Sequence, residues 1–287
     1  MKSSQAYSSD PSGANRKFFS SGTVVSFYST YSELTAAERS IFDEFVEPGS
    51  KILDVGVGGG RTTPYLAAKA CRYVGIDCSP EMIEACQRKF SGHDFRIMDA
   101  SDLDAFSNEA FDVVVFSYNG IDSLYPEIER WRCIRECHRV LTSGGIFIFS
   151  VHNPRSLFVR PDALLITRRL QGLVGMDGRR AKLSRLAVRV LFIPSVIGVA
   201  VKTVLYRLMQ RLCRPIWWRG EGYLRDEVNP GTVVHAATPR RVEKELASFG
   251  FRMLKVLEGS YPNKGSMLST GWFYYCALKT PALSPPV

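Results

Sequence analysis

The chain has 287 residues, of which 45% are hydrophobic, and a formal net charge of +9. This length and apolar content allow one large domain, or one domain with a substantial insertion, and do not require two independent domains. The charge is unevenly distributed: residues 155–219 hold 14 Lys and Arg against two acids, a net of +12, while the rest carries a net of −3. The basicity therefore belongs to one segment and does not characterise the remainder.

The cysteines and histidines indicate neither a disulfide framework nor a metal site. The seven cysteines are odd in number and include no C-x-x-C pair, which is typical of reduced thiols and predicts a cytoplasmic protein. No two of the four histidines have ligand spacing, so we expect no metal. The first 25 residues are rich in Ser and Gly and carry no apolar run of signal-peptide length. We interpret residues 1–25 and 281–287 as flexible tails.

Helical and strand-like patterns alternate along the chain from residue 32. Helices are predicted over 32–46, 61–70, 79–90, 126–141 and 238–250. Strands are predicted over 51–56, 72–77, 94–98, 111–117, 145–151, 251–259 and 271–279. Strands separated by single helices pair parallel, and right-handed crossovers give a doubly wound α/β sheet. The last two strands are joined by only 260–270, which leaves no room for a crossover helix, so they pair antiparallel.

The stretch "DVGVGGGRT" follows the first strand and has the spacing D-x-G-x-G-x-G, with Asp54, Gly56, Gly58 and Gly60. A dinucleotide fingerprint would place its third glycine at position 61, which is Arg61. An acid at the strand end suits an amino group or hydroxyls and repels a pyrophosphate. The pattern favours a ligand without phosphate, although a glycine-rich turn can also serve only to turn a strand into a helix.

Five motifs occur in the order that a known family uses: "ILDVGVGGG", "YVGIDCS", "IMDASDL", "FDVVVFSYNGID" and "RVLTSGGIFIFSVHN". In these motifs the chain resembles the class I S-adenosylmethionine-dependent methyltransferases, over residues 25–155 and 238–280. The likeness is to small-molecule or glycan enzymes with an insertion after the fifth strand. It implies a Rossmann-like, seven-stranded mixed sheet with an antiparallel last strand. It also implies S-adenosylmethionine as cofactor and S-adenosylhomocysteine as product.

The resemblance assigns residues to the cofactor site. Asp54 would lie near the methionine amino group, Asp77 would hold both ribose hydroxyls, and Asp99 would accept from the adenine amino group. The full set implied is Asp54, Gly56, Gly58, Gly60, Asp77, Cys78, Met82, Asp99, Ala100 and Phe116. Asp77 as a helix-entry acid, Asp99 as a turn residue and Met82 as a core residue remain open alternatives.

Residues after the fourth and fifth strands would face the transferred methyl group. His152 is the leading candidate for a general base, because its unperturbed pKa lies near neutrality, and Tyr118 and Asn119 are further catalytic candidates. Candidate substrate contacts are Tyr28, Tyr31, Asp122, Asn153 and Tyr223. A histidine that only orders its loop, and tyrosines that belong to the core, are the alternatives.

The predicted function is O-methylation of a small-molecule, glycan or lipid-linked acceptor. Methyltransferases that act on exocyclic base nitrogens carry an N/D-P-P-aromatic motif after the fourth strand, where this chain reads "SYNG". N-methylation of a small amine remains an alternative, because an unprotonated amine needs no strong base. A non-catalytic, membrane-associated adaptor that binds the cofactor is the alternative outside the enzymes.

The basic segment defines a predicted domain division, with a core of 26–154 and 238–280 and a largely helical insertion over 155–237. Its uncharged run of 12 residues, 190–201, is too short to cross a bilayer. Flanking basic residues and the pair Trp217 and Trp218 suggest contact of 183–219 with a membrane surface or a lipidic substrate. A helical substrate cap or a homodimer surface is the alternative. Nucleic acid is disfavoured, because the basic residues alternate with long aliphatic runs.

Overall fold

The computed structural model describes residues 10–156, 215–226, 229 and 231–280, together with the single positions 201, 205, 209 and 212. The chain divides into two compact units, Leu157–Trp218 and a discontinuous unit made of Met1–Ser156 and Arg219–Val287. The discontinuous unit thus resumes at Arg219, whereas the predicted core resumes at 238. Most of the predicted insertion, residues 1–9 and the predicted tail 281–287 lie outside the described residues.

The described helices and strands follow the alternation that the sequence predicts. The helices are α1 (Pro11–Phe19), α2 (Gly22–Thr30), α3 (Ala36–Phe45), α4 (Thr63–Lys69), α5 (Pro80–Lys89), α6 (Glu127–Val140), α7 (Pro215–Arg219) and α8 (Pro239–Ser248), with a 3-10 turn at Gly120–Ser123. The strands are β1 (Ser50–Val55), β2 (Ala70–Asp77), β3 (Asp94–Ile97), β4 (Phe111–Phe116), β5 (Leu141–His152), β6 (Glu221–Arg225), β7 (Val233–Ala237), β8 (Phe251–Glu258) and β9 (Trp272–Lys279).

The described strands form one mixed sheet. Strands β3, β2, β1, β4 and β5 lie side by side and pair parallel. Strand β9 runs antiparallel to β5, and β8 runs antiparallel to β9. These seven strands confirm the predicted doubly wound sheet with an antiparallel last strand. Because parallel strands meet at one edge, the residues that follow β1, β2, β4 and β5 gather at the carboxyl edge.

Both faces of the sheet are buried, as expected for parallel strands covered by helices. Neighbouring residues of β1 point to opposite sides: Leu53 packs in the cluster that holds α6 and α8 residues, and Ile52 in the cluster that holds α3 and α4 residues. The same alternation separates Val114 from Val113 in β4. This two-sided burial fixes the register of β1 and β4, since a one-residue slip would exchange the two faces.

Residues 11–19 and 22–25 are helical, which corrects the interpretation of this part of 1–25 as a flexible tail. Asp10 caps α1 by accepting from the Gly13 backbone. Asn15 is buried, donates to the carbonyls of Ser123 and Val233 at 2.8 Å each, and accepts from the Val233 backbone at 2.9 Å. Short helices gain most of their stability from such tertiary contacts, which composition does not reveal.

A hairpin of β6 and β7 adjoins the carboxyl end of β5, where Ala236 of β7 pairs with His152. The prediction of a largely helical insertion up to 237 missed this hairpin. The sequence does hold a turn signal, "NPG" over 229–231, between two short runs rich in β-formers. The hairpin matters for the site, because it brings His235 beside the end of β5.

Candidate active site

The glycine turn after β1 lies at the carboxyl edge of the sheet. Gly56, Gly58 and Gly60 have positive φ angles of 61°, 54° and 79°, a conformation that favours glycine. A Cβ at Gly58 would meet nothing closer than the Gly56 carbonyl at 4.0 Å, so the turn is open at this position. The Gly58 backbone N–H donates to Asp77 Oδ2 at 2.9 Å. The predicted glycine loop and the predicted ribose acid are therefore adjacent.

Asp77 ends β2 and is partly buried. Its Oδ1 accepts from the Ser79 backbone at 2.9 Å, while Oδ2 accepts from Gly58. Burial raises the pKa of Asp77, and these backbone donors oppose that rise. The carboxylate is thus held in place by backbone on both sides. Two oriented acceptor oxygens at a strand end suit a vicinal diol.

Asp54 is buried and lies beneath the glycine turn. Its Oδ2 accepts from Thr62 Oγ1 at 2.5 Å and from the Tyr73 hydroxyl at 2.8 Å. Burial raises its pKa to about 6, although the two hydroxyl donors act in the opposite direction. Both hydrogen bonds end on Oδ2, and the contact of Asp54 with the cofactor amino group stays a prediction. Asp54 joins the turn to β2 and to the start of α4.

Asp99 follows β3 and is partly exposed, which fits a ligand contact. Its Oδ1 accepts from the Ser101 backbone at 2.9 Å, and its Oδ2 forms an ion pair with Arg16 of α1. Burial tends to raise its pKa, but the Ser101 and Arg16 contacts outweigh this and lower it. The Asp99 carboxylate is therefore charged at neutral pH and is partly occupied by a residue of α1.

The other predicted cofactor residues lie around the same edge. The Phe116 ring is buried beside the turn, since a Cβ at Gly56 would lie 2.5 Å from it. Met82 is buried in the first turn of α5, and its backbone donates to the Ser79 side chain. Cys78 is exposed and Ala100 is partly buried. The core alternative for Met82 fits its burial.

A buried ion pair between Glu38 and Arg61, which the sequence did not predict, lies directly after the glycine turn. Glu38 of α3 is fully buried and pairs with the Arg61 guanidinium at 2.5 and 2.7 Å. Glu38 also accepts from Ser117 after β4 and from the Thr35 backbone. The Arg61 guanidinium carbon lies 4.6 Å from the centre of the Tyr118 ring. The sequence holds a capping-box pattern T-x-x-E from Thr35 to Glu38, which could have indicated the helix start but not the buried partner of Glu38.

We expect Glu38→Gln to lower the free energy of unfolding by about 3–5 kcal/mol, because it leaves the Arg61 charge buried without its counterion. The measurement is urea denaturation of the purified chain. Glu44→Gln is the matched control, since Glu44 lies on the same helix and pairs with Lys255 at the surface. Its expected loss is about 0–1 kcal/mol. Equal losses in the two variants would contradict the role given to Glu38.

His152 ends β5 and is held by a buried carboxylate. Asp122 is fully buried, and its Oδ2 accepts from both the backbone N and the Nδ1 of His152 at 2.7 Å. Its Oδ1 lies 3.8 Å from Nδ1 of the buried His235. Burial opposes protonation of His152, but the Asp122 contact outweighs it and raises the pKa of His152. Asp122 therefore orients histidine rather than contacting a substrate, which revises its predicted role.

The turn after β4 carries the other two catalytic candidates. Tyr118 and Asn119 both have positive φ angles, 55° and 62°, which non-glycine residues rarely adopt. The Asn119 backbone donates to Ser150 Oγ at 2.7 Å, and its Nδ2 lies 3.4 Å from His152 Nε2. Burial raises the pKa of Tyr118, so its hydroxyl stays protonated at neutral pH. The turn thus places the Asn119 amide beside His152 and the Tyr118 ring beside Trp272.

Four rings form a row at this edge, which we call the aromatic row: Phe27, Tyr31, Tyr118 and Trp272. Their successive centroids are separated by 6.2, 6.0 and 6.4 Å. Trp272 is also the strand partner of His152 in β9. The aromatic row therefore extends from α2 to the strand beside the candidate base.

Two predicted substrate residues have structural partners. Asn153 is buried, and its Nδ2 donates to the carbonyls of Met267 and Thr270 at 2.7 and 2.8 Å. The Tyr223 hydroxyl donates to the Leu124 carbonyl at 2.9 Å. Asn153 orders the loop before β9, and Tyr223 ties β6 to the turn after β4. The burial of Asn153 does not fit its predicted substrate contact, whereas the contact predicted for the partly exposed Tyr223 stays a prediction.

Helix α2 covers the glycine turn. A Cβ at Gly59 would lie 2.3 Å from the Tyr28 carbonyl oxygen and 2.5 Å from the Ser29 Cα. Lys89 of α5 donates to the Ser29 carbonyl at 3.1 Å. Burial raises the pKa of Tyr28 to about 12. Only glycine at position 59 permits this close approach of α2 to the turn.

Because a Cβ at position 59 meets backbone, we expect Gly59→Ala to displace α2. The expected effects are a loss of about 1–3 kcal/mol in the free energy of unfolding, typical of overpacking, and faster proteolysis within residues 10–31. Denaturation and timed trypsin digestion measure them. Gly92→Ala is the matched control, since a Cβ there meets nothing within 4 Å. Identical digestion of the two variants would contradict the close packing.

The sheet order, the glycine turn and Asp77 define the fold of class I methyltransferases. Residues 53–149 match the family described as a methyltransferase domain. With the fold, this match confirms the predicted class at the level of the domain: residues 53–149 form a methyltransferase domain with the class I fold.

Curated relatives share this domain. An uncharacterized methyltransferase of Synechocystis sp. is 33% identical over 123 residues, which cover 42% of this chain and 57% of the relative. Demethylmenaquinone methyltransferase of Clavibacter sepedonicus is 35% identical over 100 residues, which cover 34% of this chain and 39% of the relative. The chain spans about half the length of the curated relatives it matches.

Among solved structures, 1,6-didemethyltoxoflavin-N1-methyltransferase of Burkholderia thailandensis superposes with a TM-score of 0.57 at 16% identity, covering 96% of this chain and 93% of its own. That structure contains S-adenosylhomocysteine. The CcbJ methyltransferase of Streptomyces caelestis superposes with a TM-score of 0.54 at 14% identity, covering 89% of this chain and 96% of its own. At these identities the likeness concerns the fold alone.

Proposed function

We propose that this protein transfers the methyl group of S-adenosylmethionine to a hydroxyl oxygen of an apolar acceptor. The observation that carries the proposal is the buried Asp122–His152 pair at the carboxyl edge of the sheet. An oriented carboxylate–histidine pair is an arrangement that hydroxyl acceptors need and unprotonated amines do not. The curated relatives include a ubiquinone biosynthesis O-methyltransferase of Pseudomonas syringae, 33% identical over 109 residues, which supports an oxygen acceptor.

The residues at the glycine turn fit the cofactor. Gly58 borders open space, and Asp77 beside it offers two oriented carboxylate oxygens for the ribose hydroxyls. Asp99 and the backbone of Ala100 would take the adenine amino edge, once Arg16 releases or shares Asp99. When bound, S-adenosylmethionine supplies an electrophilic methyl group. The chain's remaining task is to align the acceptor and accept its proton.

His152 is the proposed base. Donation of Nδ1–H to Asp122 fixes the tautomer in which Nε2 carries the lone pair. The Asn119 amide nitrogen lies 3.4 Å from Nε2 and donates to its lone pair, so an acceptor hydroxyl must displace this long hydrogen bond to reach Nε2. Nε2 takes the hydroxyl proton as the oxygen–methyl bond forms, and the proton then passes to solvent, to which His152 is 24% exposed.

The aromatic row supports an apolar or planar acceptor. Rings present flat, weakly polar surfaces that stack on other rings and pack against hydrocarbon. The Arg61 guanidinium behind Tyr118 is neutralised by Glu38 and therefore does not select an anionic acceptor by its charge. Phenolic and lipid-linked hydroxyl compounds fit this surface better than free sugars do.

The test is a methyl-transfer screen with radiolabelled S-adenosylmethionine, using matched pairs of phenolic or lipid-linked hydroxyl compounds and their amine analogues. Label transferred to the hydroxyl member of a pair, with no transfer to its amine analogue, is the expected result. Transfer to amines alone would overturn the oxygen assignment. Calorimetric titration with S-adenosylhomocysteine, run on the same sample, establishes that a negative screen concerns the acceptor and not the cofactor site.

A further inference from the structure

An apolar stripe is exposed in the segment between β5 and β6. Val201, Leu205, Met209 and Leu212 have helical backbone and are 50%, 56%, 65% and 42% exposed. Their sequence spacings of four, four and three residues are those of side chains that share one face of a helix. Trp218 of α7 follows at 74% exposure. We call Val201, Leu205, Met209, Leu212 and Trp218 the exposed stripe. Large apolar side chains at such spacing normally face a core, so their exposure indicates a binding surface.

The charge around the exposed stripe identifies the kind of partner. Residues 201–219 contain five Lys and Arg and no acid. The wider segment 155–219 has a net charge of +12. A partner must therefore combine an apolar interior with a negatively charged surface, which is the composition of an anionic lipid bilayer. Tryptophan is also the residue most typical of the interface between lipid and water.

Other occupants fit less well. A second copy of the chain would bring an identical basic segment against this one, and like charges repel. Nucleic acid would match the charge but would leave the apolar stripe without a partner. In the part of the chain that the structure describes, no helix is long and apolar enough to cross a membrane. A helix that lies in the plane of the interface needs no such length.

We propose that the segment around the exposed stripe binds the surface of an anionic lipid bilayer, with the apolar side chains inserted among the lipids. This inference is independent of the methyl-transfer reaction, because it rests on the exposure and charge of another part of the chain. The exposed stripe would then contact lipids, whereas the aromatic row contacts the acceptor.

The experiment is co-sedimentation of the full chain with vesicles of phosphatidylcholine containing phosphatidylglycerol, compared with vesicles of phosphatidylcholine alone. The test variant is Leu205→Asp combined with Met209→Asp, which places charge on two exposed positions. Val256→Asp is the control for added charge, since Val256 is an exposed residue of β8. Thermal denaturation checks that every variant is folded.

We expect binding to the anionic vesicles that weakens at high salt, and at least about tenfold weaker partitioning of the double variant, with Val256→Asp like the parent. Equal binding to both kinds of vesicle, or binding unchanged in the double variant, would overturn the proposal. A dimer in solution that the double variant dissociates would assign the stripe to a second copy. Tight binding of single-stranded RNA without vesicle binding would assign the segment to nucleic acid.

Discussion

Replacing His152 by Gln is expected to lower kcat for a hydroxyl acceptor by about 10²–10⁴-fold, the range typical of losing a general base. The affinity for S-adenosylmethionine should not change, because His152 lies at the end of β5 and makes no contact with the glycine turn or Asp77 among the bonds described above. Steady-state methyl transfer at saturating acceptor measures kcat, and calorimetry measures the affinity.

His93→Gln is the matched control, because His93 is an exposed histidine in the loop between α5 and β3. Its kcat should equal that of the parent chain. A loss of less than about threefold in His152→Gln, against the expected range for a base, would show that proton removal does not limit the reaction. In that case the Asp122–His152 pair orders the end of β5, and an amine acceptor becomes the better hypothesis.

The pH dependence tests the same pair in a second way. The base must be neutral to accept a proton. Asp122 raises the pKa of His152 above its ordinary value of about 6.5. The rate should therefore fall as the pH drops through that raised pKa. Asp122→Asn keeps an oxygen acceptor but removes the charge, so it should move this acidic limb to lower pH and reduce the rate above it. If the acidic limb stays at the same pH, Asp122 does not set the pKa of the group that titrates.

Local patterns in the sequence predict the sheet and the part of the site around Gly58, Asp77 and Asp99. β1 and β4 are continuous apolar runs because both faces of a parallel sheet are buried, and such runs are visible without a structure. The places of Gly58, Asp77 and Asp99 follow once those strands are assigned, because strand ends meet at one edge. The Asp77–Gly58 hydrogen bond therefore joins two residues that the sequence already placed at the same edge of the sheet.

The remaining features depend on side-chain partners that are distant in sequence. The hydrogen bonds of Asp54 were not predicted because its partners, Thr62 and Tyr73, come from the start of the next helix and from the next strand. The ion pair between Glu38 and Arg61 was not predicted, because it joins residues 23 positions apart that no local pattern connects. The pairing of Asp122 with His152 spans 30 residues and depends on the left-handed turn after β4. Pattern reasoning supplies the elements, whereas packing decides which polar atoms meet.

Asp77→Ala is expected to weaken S-adenosylmethionine binding by at least about a hundredfold, since charge-assisted hydrogen bonds to two ribose hydroxyls contribute roughly 1.5–3 kcal/mol each. The same carboxylate accepts from the backbones of Gly58 and Ser79, so its removal also loosens the glycine turn. Isothermal titration calorimetry gives the affinity, and thermal denaturation reports the change in the turn.

Asp77→Asn separates the two effects in part, because its amide oxygen accepts from only one of the two backbone N–H groups, of Gly58 or Ser79, and the charge is lost. It should melt between Asp77→Ala and the parent chain, and it should bind the cofactor about tenfold or more weakly than the parent, as expected when a charged acceptor becomes neutral. Asp94→Asn is the control, since Asp94 is a carboxylate at the start of the neighbouring β3 that pairs with Arg96. Parent-like affinity in Asp77→Asn would mean that Asp77 only supports the turn, and that the ribose is held by other groups at the sheet edge.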